Sequence, residues 1–226
     1  MDTAKHTQHP RTALVAGPTG LVGSALIRRL LAVPTAGPIL AVSRRPLSDH
    51  PQLTVLPVPD GGALQLPVAV DDFYCALGTT LKRAGSRQAF RAIDVDLVIA
   101  LAKAARSAGA QRAVVVSAIG ANPRSTSFYL RCKGEMEAAV ATLGFHSLHF
   151  MQPSLLMGER TEHRWGEGVA QRLAPLYAPL LVGGLSRYRP VSGETVAARM
   201  QTVMATAAPG VHRHTFGTDQ RLSSSG

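Results

Sequence analysis

The sequence predicts an α/β fold built on a doubly wound parallel sheet, in a single domain. Short apolar segments typical of buried parallel strands alternate with longer segments whose apolar residues recur at helical spacing. A glycine-rich turn joins the first strand to the first helix. Strand–helix–strand units require this alternation, and 226 residues with 46% hydrophobic content are enough for one domain with a full core.

The first half of the chain supplies four predicted strands, which are "TALVAG" (residues 12–17), "PILAVSRR" (38–45), "LTVLPV" (53–58) and "VDDFYCALG" (70–78). After the first strand, "TGLVGSALIRRLLAV" (19–33) places Val22, Leu26 and Leu30 on one face of a helix. Between the third and fourth strands, "PDGGALQLPVA" (59–69) is too rich in glycine and proline to predict a helix.

The second half continues the alternation. A helix is predicted from residue 86, with an apolar stripe and a C-terminal glycine at Phe90, Ile93, Leu97, Leu101 and Gly109. A fifth strand, a helix, a sixth strand and a last helix follow in "RAVVVSA" (112–118), "KGEMEAAVATLG" (133–144), "HSLHFMQP" (146–153) and "ETVAARMQTVMATA" (194–207). The pattern loosens in residues 159–226, where we expect a small, variable substrate-side extension, and residues 1–11 are expected to be a disordered tail.

Composition excludes several functions. The excess of 24 Lys+Arg over 14 Asp+Glu suits a nucleic-acid binder, but the arginines are scattered and aromatic content is only 5%, so no nucleic-acid partner is predicted. Neither a signal peptide nor a membrane span is indicated, which predicts a cytoplasmic protein. Cys75 and Cys132 fit no metal-ligand spacing, and we expect no metal site.

The stretch "GPTGLVG" carries glycines at positions 17, 20 and 23, in the turn between the first strand and the first helix. Glycines let the backbone approach a pyrophosphate, and the helix N-terminus supplies unpaired N–H groups and partial positive charge. In this context the motif predicts a dinucleotide site in a Rossmann-type fold.

The end of the second strand indicates which dinucleotide is bound. An Asp or Glu there would hydrogen-bond the adenosine ribose of NAD, but this chain has Ser43, Arg44 and Arg45. Guanidinium groups suit a 2′-phosphate, which a carboxylate would repel. The sequence therefore favours NADP, with one of the two arginines expected to face solvent.

Ser117, Tyr129 and Lys133 are candidates for catalysis. Ser117 ends the fifth strand, at the edge of the sheet where ligands bind, and Tyr129 and Lys133 lie one helical turn apart. Ser117 is expected to hydrogen-bond a substrate carbonyl and Tyr129 to transfer the proton, with the Lys133 charge lowering the tyrosine pKa by at most about three units. Without this context, the pair reads as a surface tyrosine beside a solvated lysine.

Residues 12–160 resemble the short-chain dehydrogenase/reductases, most closely the atypical branch that includes the Tat-interacting-protein-like NADP-binding proteins. The resemblance rests on "GPTGLVG", "VSRR", "LGTT" (77–80), Ser117, the Tyr129/Lys133 pair and "QPSLLMGER" (152–160). It implies a Ser-Tyr-Lys catalytic set, a cofactor-facing segment at 77–80 and a cofactor-facing proline at Pro153. The region between the third and fourth strands is shorter than in that family, and the C-terminal part matches only loosely.

The predicted function is NADP-dependent interconversion of a carbonyl and an alcohol in a small-molecule substrate. The alternative is a non-catalytic NADP-binding sensor, regulator or assembly factor. The predicted catalytic residues are Ser117, Tyr129 and Lys133. The predicted cofactor-binding residues are Gly17, Thr19, Gly20, Leu21, Val22, Gly23, Ser43, Arg44, Arg45, Leu77, Gly78, Thr79, Lys133 and Pro153.

For four other residues the sequence predicts a role less specifically. Asp94 lies on the apolar stripe of its predicted helix, where a carboxylate is expected to satisfy a nearby donor rather than to act in catalysis. His163 and Trp165 are expected at the surface, with a substrate lid as the alternative. Arg189 is either solvated or placed to meet an anionic substrate.

Overall fold

A computed structural model describes residues 10–33, 37–59, 64–154, 156–157 and 190–216. In this part of the chain, one sheet contains the strands β1 (Ala13–Ala16), β2 (Ile39–Val42), β3 (Leu53–Leu56), β4 (Asp72–Cys75), β5 (Arg112–Val116), β6 (Ser147–Gln152) and β9 (Gly210–Thr215). The strand order is β3-β2-β1-β4-β5-β6-β9, and every pair is parallel. The predicted doubly wound sheet is therefore confirmed, and its strand order reverses between β1 and β4.

A second, two-stranded sheet joins β7 (Leu156–Met157) to β8 (Val191–Ser192). The helices are α1 (Leu21–Leu31), α2 (Leu81–Ala84), α3 (Arg87–Arg91), α4 (Val98–Ser107), α5 (Phe128–Ala141) and α6 (Gly193–Thr206), with a π-helical turn (Ala92–Leu97) joining α3 to α4. Among the described residues, no helix is long and apolar enough to span a bilayer.

The sheet is covered on both faces because its central strands are apolar on both. In β1, Leu14 and Ala16 pack into a core with α4 and α5, whereas Val15 faces the opposite core with α1 and α6. Side chains alternate between the faces of a strand, so continuous apolar strands bind helices on each side.

The structure adds three strands that the sequence pattern did not indicate, β7, β8 and β9, and it changes the expected role of the C-terminal region. Residues 190–216 fall in the region expected to form a substrate-side extension, but α6 packs on α1 and β9 pairs with β6 at the sheet edge. Between β3 and β4, residues 57–59 and 64–71 contain no helix, as expected. His163, Trp165, Arg189 and most of the predicted N-terminal tail lie outside the described residues.

Candidate cofactor and catalytic site

The three glycines of the β1–α1 turn, Gly17, Gly20 and Gly23, differ in how much space a side chain would have there. Gly17 has φ +77°, and a Cβ on it would lie 2.8 Å from the backbone of Ala76. A Cβ on Gly23 would lie 2.0 Å from the carbonyl oxygen of Gly17. At Gly20 the nearest atom would be 3.6 Å away, which is ordinary contact. Gly17 and Gly23 are thus required by the chain's own packing, whereas Gly20 leaves space on the helix N-terminus unused.

The N-terminus of α1 is electrostatically suited to an anion. Gly20 is its N-cap with extended backbone, no side chain caps the helix, and no acidic residue lies in the first turn. Leu21, Val22 and Gly23 begin the helix, so their N–H groups have no intrahelical acceptor. Together with the space at Gly20, these N–H groups fit a pyrophosphate.

The segment after β2 presents two positive charges. Ser43 is buried and its hydroxyl accepts a hydrogen bond from the backbone N–H of Arg45 at 3.1 Å. Arg44 and Arg45 are exposed, and within the described chain neither guanidinium makes a hydrogen bond or ion pair. Both charges are therefore available to a phosphate at this edge of the sheet.

Tyr129 and Lys133 lie on neighbouring turns of α5 but in different surroundings. Tyr129 is 37% exposed, with its ring set edge-on to Phe90 at 5.8 Å between ring centroids. The Lys133 side chain is only 3% exposed. The reading of Lys133 as a solvated surface lysine is therefore wrong.

Lys133 is held by Asp94, which the π-helical turn places beside it. The Lys133 Nζ lies 2.7 Å from Asp94 Oδ1, and the backbone N–H of Thr79 donates to Asp94 Oδ2 at 2.8 Å. Burial lowers the pKa of the Lys133 ammonium, but the groups that face it, Asp94 first among them, raise that pKa above its ordinary value. Lys133 is thus positively charged at neutral pH, and Asp94 does satisfy nearby donors as expected.

Ser117 is bound to a second buried carboxylate. Its hydroxyl donates to Glu137 Oε1 at 2.6 Å, and the Gln152 amide donates to the same oxygen at 2.8 Å. Arg213 on β9 donates from Nε to Glu137 Oε2 at 2.7 Å. Glu137 follows Tyr129 and Lys133 at four-residue intervals, so all three share one face of α5.

The predicted residues gather at the carboxyl ends of the strands. Leu77, Gly78 and Thr79 follow β4 beside Gly17, and Pro153 follows β6, where its carbonyl accepts from the Ile119 N–H at 3.1 Å. Ser43, Arg44 and Arg45 lie at the end of β2, two strands from β4.

Sequence reasoning missed Glu137 and Arg213 and assigned Asp94 no place beside Lys133. The four-residue spacing after Lys133 was a signal for Glu137. No local pattern points to Arg213, because β9 reaches β6 only through the tertiary fold.

No protein-family model matches the chain. Curated relatives do: Protein FMP52, mitochondrial, from Eremothecium gossypii is 35% identical over 159 residues, which cover 69% of this chain and 71% of the relative. The chain belongs to the FMP52 family. The protein of the same name from Emericella nidulans is 38% identical over 168 residues, covering 70% and 72% of the two chains.

Solved structures share the fold at low identity. MoeE5 in complex with UDP-glucose and NAD has a TM-score of 0.67 at 17% identity, over 92% of this chain and 76% of that one. The human epimerase family protein SDR39U1 with NADPH has a TM-score of 0.61 at 18% identity, over 90% and 74%. A short chain dehydrogenase family protein from Francisella tularensis has a TM-score of 0.60 at 13% identity, over 90% and 96%. These likenesses show a Rossmann-type fold.

Two expectations change with these findings. The predicted cytoplasmic location is wrong, because the FMP52 relatives are named as mitochondrial proteins. The finer resemblance to Tat-interacting-protein-like proteins is not reflected in the names of these relatives, which are FMP52.

Proposed function

We propose that this FMP52-family chain is an NADP-dependent oxidoreductase that interconverts a carbonyl and an alcohol in a small-molecule substrate. One observation carries the proposal: a buried, charged Lys133 lies one helical turn from the half-exposed Tyr129. Burying a lysine ammonium is costly unless a counter-ion pairs with it, and here the counter-ion is Asp94. Buried charges of this kind cluster at functional sites.

The cofactor fits the residues that would hold it. The pyrophosphate is assigned to the N-terminus of α1 at Gly20, and the 2′-phosphate to Arg44 and Arg45, whose guanidinium groups are unpaired among the described residues. The segment of Leu77, Gly78 and Thr79, with Pro153, is assigned to the nicotinamide half. When bound, the nicotinamide supplies or accepts the hydride. NAD and NADPH in MoeE5 and SDR39U1 support this class of cofactor.

Tyr129 is assigned the proton transfer. Its phenol is within reach of solvent, whereas Lys133 and Ser117 are buried. A neutral tyrosine donates a proton to the oxygen of a carbonyl that is being reduced, and takes it back in the oxidative direction. Lys133 is assigned to orient the phenol and the nicotinamide ribose through the N–H groups that Asp94 leaves unused.

Ser117 is assigned to the substrate side of the same edge, but it starts from a bond to Glu137. Donation to a substrate carbonyl requires the hydroxyl to turn away from a carboxylate, which costs about 2 kcal/mol for a hydrogen bond to a charged group. We therefore rank Tyr129 above Ser117 as the proton donor to the substrate.

The alternative function is a non-catalytic NADP-binding sensor, regulator or assembly factor, to which the fold is equally suited. The bond from Ser117 to Glu137 favours it, because the serine proton is already taken. The two functions share the cofactor site and differ only in chemistry at Tyr129.

Tyr129→Phe separates them. For an enzyme, we expect NADPH affinity by isothermal titration within a few-fold of wild type and a loss of roughly 10²–10⁴ in the rate of reduction across a panel of aldehydes and ketones. Tyr74→Phe on β4, which removes a phenol from the buried core, is the matched control and should keep the rate. A wild type that binds NADPH but reduces nothing, with Tyr129→Phe fully active in the cell, selects the sensor.

A further inference from the structure

We propose that Asp94 is a positioning residue that holds the Lys133 ammonium and the segment of Leu77, Gly78 and Thr79 in one fixed arrangement for NADP. The inference rests on the proposed function.

The two oxygens of the Asp94 carboxylate contact two different parts of the site. Oδ1 lies 2.7 Å from the Lys133 Nζ, and Oδ2 accepts the Thr79 N–H at 2.8 Å. Asp94 itself is fully buried. A Cβ on Gly78 would meet only Asp94 Oδ1, at 3.8 Å, so that glycine also lies against the carboxylate. One side chain therefore links α5 to the backbone that follows β4.

The local backbone supports this placement. Asp94 lies in the π-helical turn, between the buried side chains of Phe90 and Val98. Such turns occur frequently at functional sites. An unpaired carboxylate in this apolar layer would be strongly unfavourable, so its presence depends on Lys133 and Thr79.

Asp94 also decides the charge state of Lys133. Burial alone would lower the pKa of the ammonium, whereas Asp94 raises it. The other titratable groups that act on Lys133 are Tyr129 on its own helix and Cys75 at the end of β4. Burial raises the pKa of the Cys75 thiol to about 11, so it is neutral, and Asp94 is the counter-ion among these groups.

The pairing has a consequence for Tyr129. A lone ammonium would act on the phenol as a full unit charge, but the Asp94 carboxylate at 2.7 Å from Nζ compensates part of that charge. Asp94 therefore keeps Lys133 charged and oriented rather than maximising its pull on the tyrosine proton.

The test is NADPH binding to Asp94→Asn, which keeps the shape of the side chain and removes its charge. We expect about tenfold weaker binding at pH 7, because the ammonium loses the ion-pair partner that orients it. The affinity of the variant should fall further between pH 7 and 9, as the uncompensated Lys133 loses its proton, while wild type stays flat. Asp96→Asn, an exposed aspartate on the same turn, is the matched control and should behave as wild type.

Two further variants separate positioning from a merely structural role. Asp94→Glu keeps the charge and should restore most of the affinity and the flat pH profile; it also serves if Asp94→Asn does not fold. The double variant Asp94→Asn/Lys133→Met should bind NADPH no more weakly than Lys133→Met alone, because an amide oxygen still accepts the Thr79 N–H and the lost charge acts through Lys133. Independent, multiplying losses would contradict the proposal.

The outcomes distinguish this inference from the function on which it rests. A wild type that binds no NADPH contradicts both. A wild type that binds NADPH, with Asp94→Asn indistinguishable from it at pH 7 and pH 9, contradicts the role of Asp94 alone. The circular dichroism spectrum and melting temperature of each variant show whether the fold has been kept.

Discussion

Ser117 donates its hydroxyl proton to Glu137 across 2.6 Å, inside the edge of the sheet at which the ligand is expected. Glu137 receives two further donors, from Gln152 and Arg213, so the carboxylate is fully partnered. A serine held in this way offers a ligand its lone pairs more readily than its proton. This contact distinguishes the site from one in which a free serine hydroxyl is aimed at a carbonyl.

The first prediction concerns Ser117→Ala. Removing the hydroxyl leaves Glu137 short of one donor, so we expect the free energy of unfolding to fall by about 1–3 kcal/mol in urea titrations. Turnover should fall less than in Tyr129→Phe, by under about tenfold. Ser147→Ala removes another buried serine hydroxyl, one bonded to His149, and should leave turnover unchanged. A loss from Ser117→Ala as large as that from Tyr129→Phe would show that Ser117 leaves Glu137 during reaction.

The second prediction concerns cofactor choice. Arg44→Ala and Arg45→Ala should each weaken NADPH binding, and the double variant should lose about 10- to 100-fold, since each charge-assisted bond to the 2′-phosphate contributes about 1.5–3 kcal/mol before solvent screening. NADH binding should not change. Lys103→Ala, which removes one exposed charge from α4, controls for net charge. Equal NADPH and NADH affinities in wild type at moderate salt would refute the assignment.

The third prediction uses the difference among the glycines. Gly20→Ala should fold normally, because the new Cβ finds no atom closer than 3.6 Å, yet it should abolish detectable NADPH binding by filling the space assigned to the pyrophosphate. Gly23→Ala places a Cβ 2.0 Å from the Gly17 carbonyl oxygen and should lose stability as well. Melting temperature and titration together separate the two effects. Normal NADPH affinity in Gly20→Ala would mean that the glycine motif serves chain packing only.

The fourth prediction concerns acid stability and the histidines of β6 and β9. His149 is buried, with Nδ1 2.9 Å from His214 Nε2, and burial lowers the pKa of His149 to about 4. A histidine whose folded pKa lies below the unfolded value of about 6.5 stabilises the fold above pH 6.5, and that stability is lost as the pH falls towards 4. The loss should be at most about 3 kcal/mol.

Urea unfolding at pH 7.5, 5.5 and 4.5 measures this effect. Carboxylates contribute to acid unfolding in every variant, so the comparison is with His149→Gln, whose free energy of unfolding should fall less between pH 7.5 and 4.5. Burial also lowers the pKa of His214, which contacts His149. The difference in pH dependence between wild type and His149→Gln therefore reports the titration of both imidazoles together. Identical pH profiles would mean that the His149 imidazole does not titrate in this range.

Side-chain patterns along the chain were sufficient to predict most of the strands and helices. Continuous apolar strands, the glycine turn and the stripes of α1, α5 and α6 are set by side-chain periodicity and backbone freedom, so the strands from β1 to β6 and these helices were predictable. The spacing of Tyr129 and Lys133 likewise follows from the pitch of one helix.

Only the tertiary structure decided which strands pair and which charged residues meet. The strand β9 ("GVHRHT") is an exposed edge strand without apolar alternation, so only its pairing with β6 identifies it. Asp94 and Lys133 are 39 positions apart, and Glu137 and Arg213 are 76 apart. A buried charge reveals its role only when its counter-ion is known. The chain carries the charged residues, and the packing of α5 against the π-helical turn and the sheet decides which of them meet.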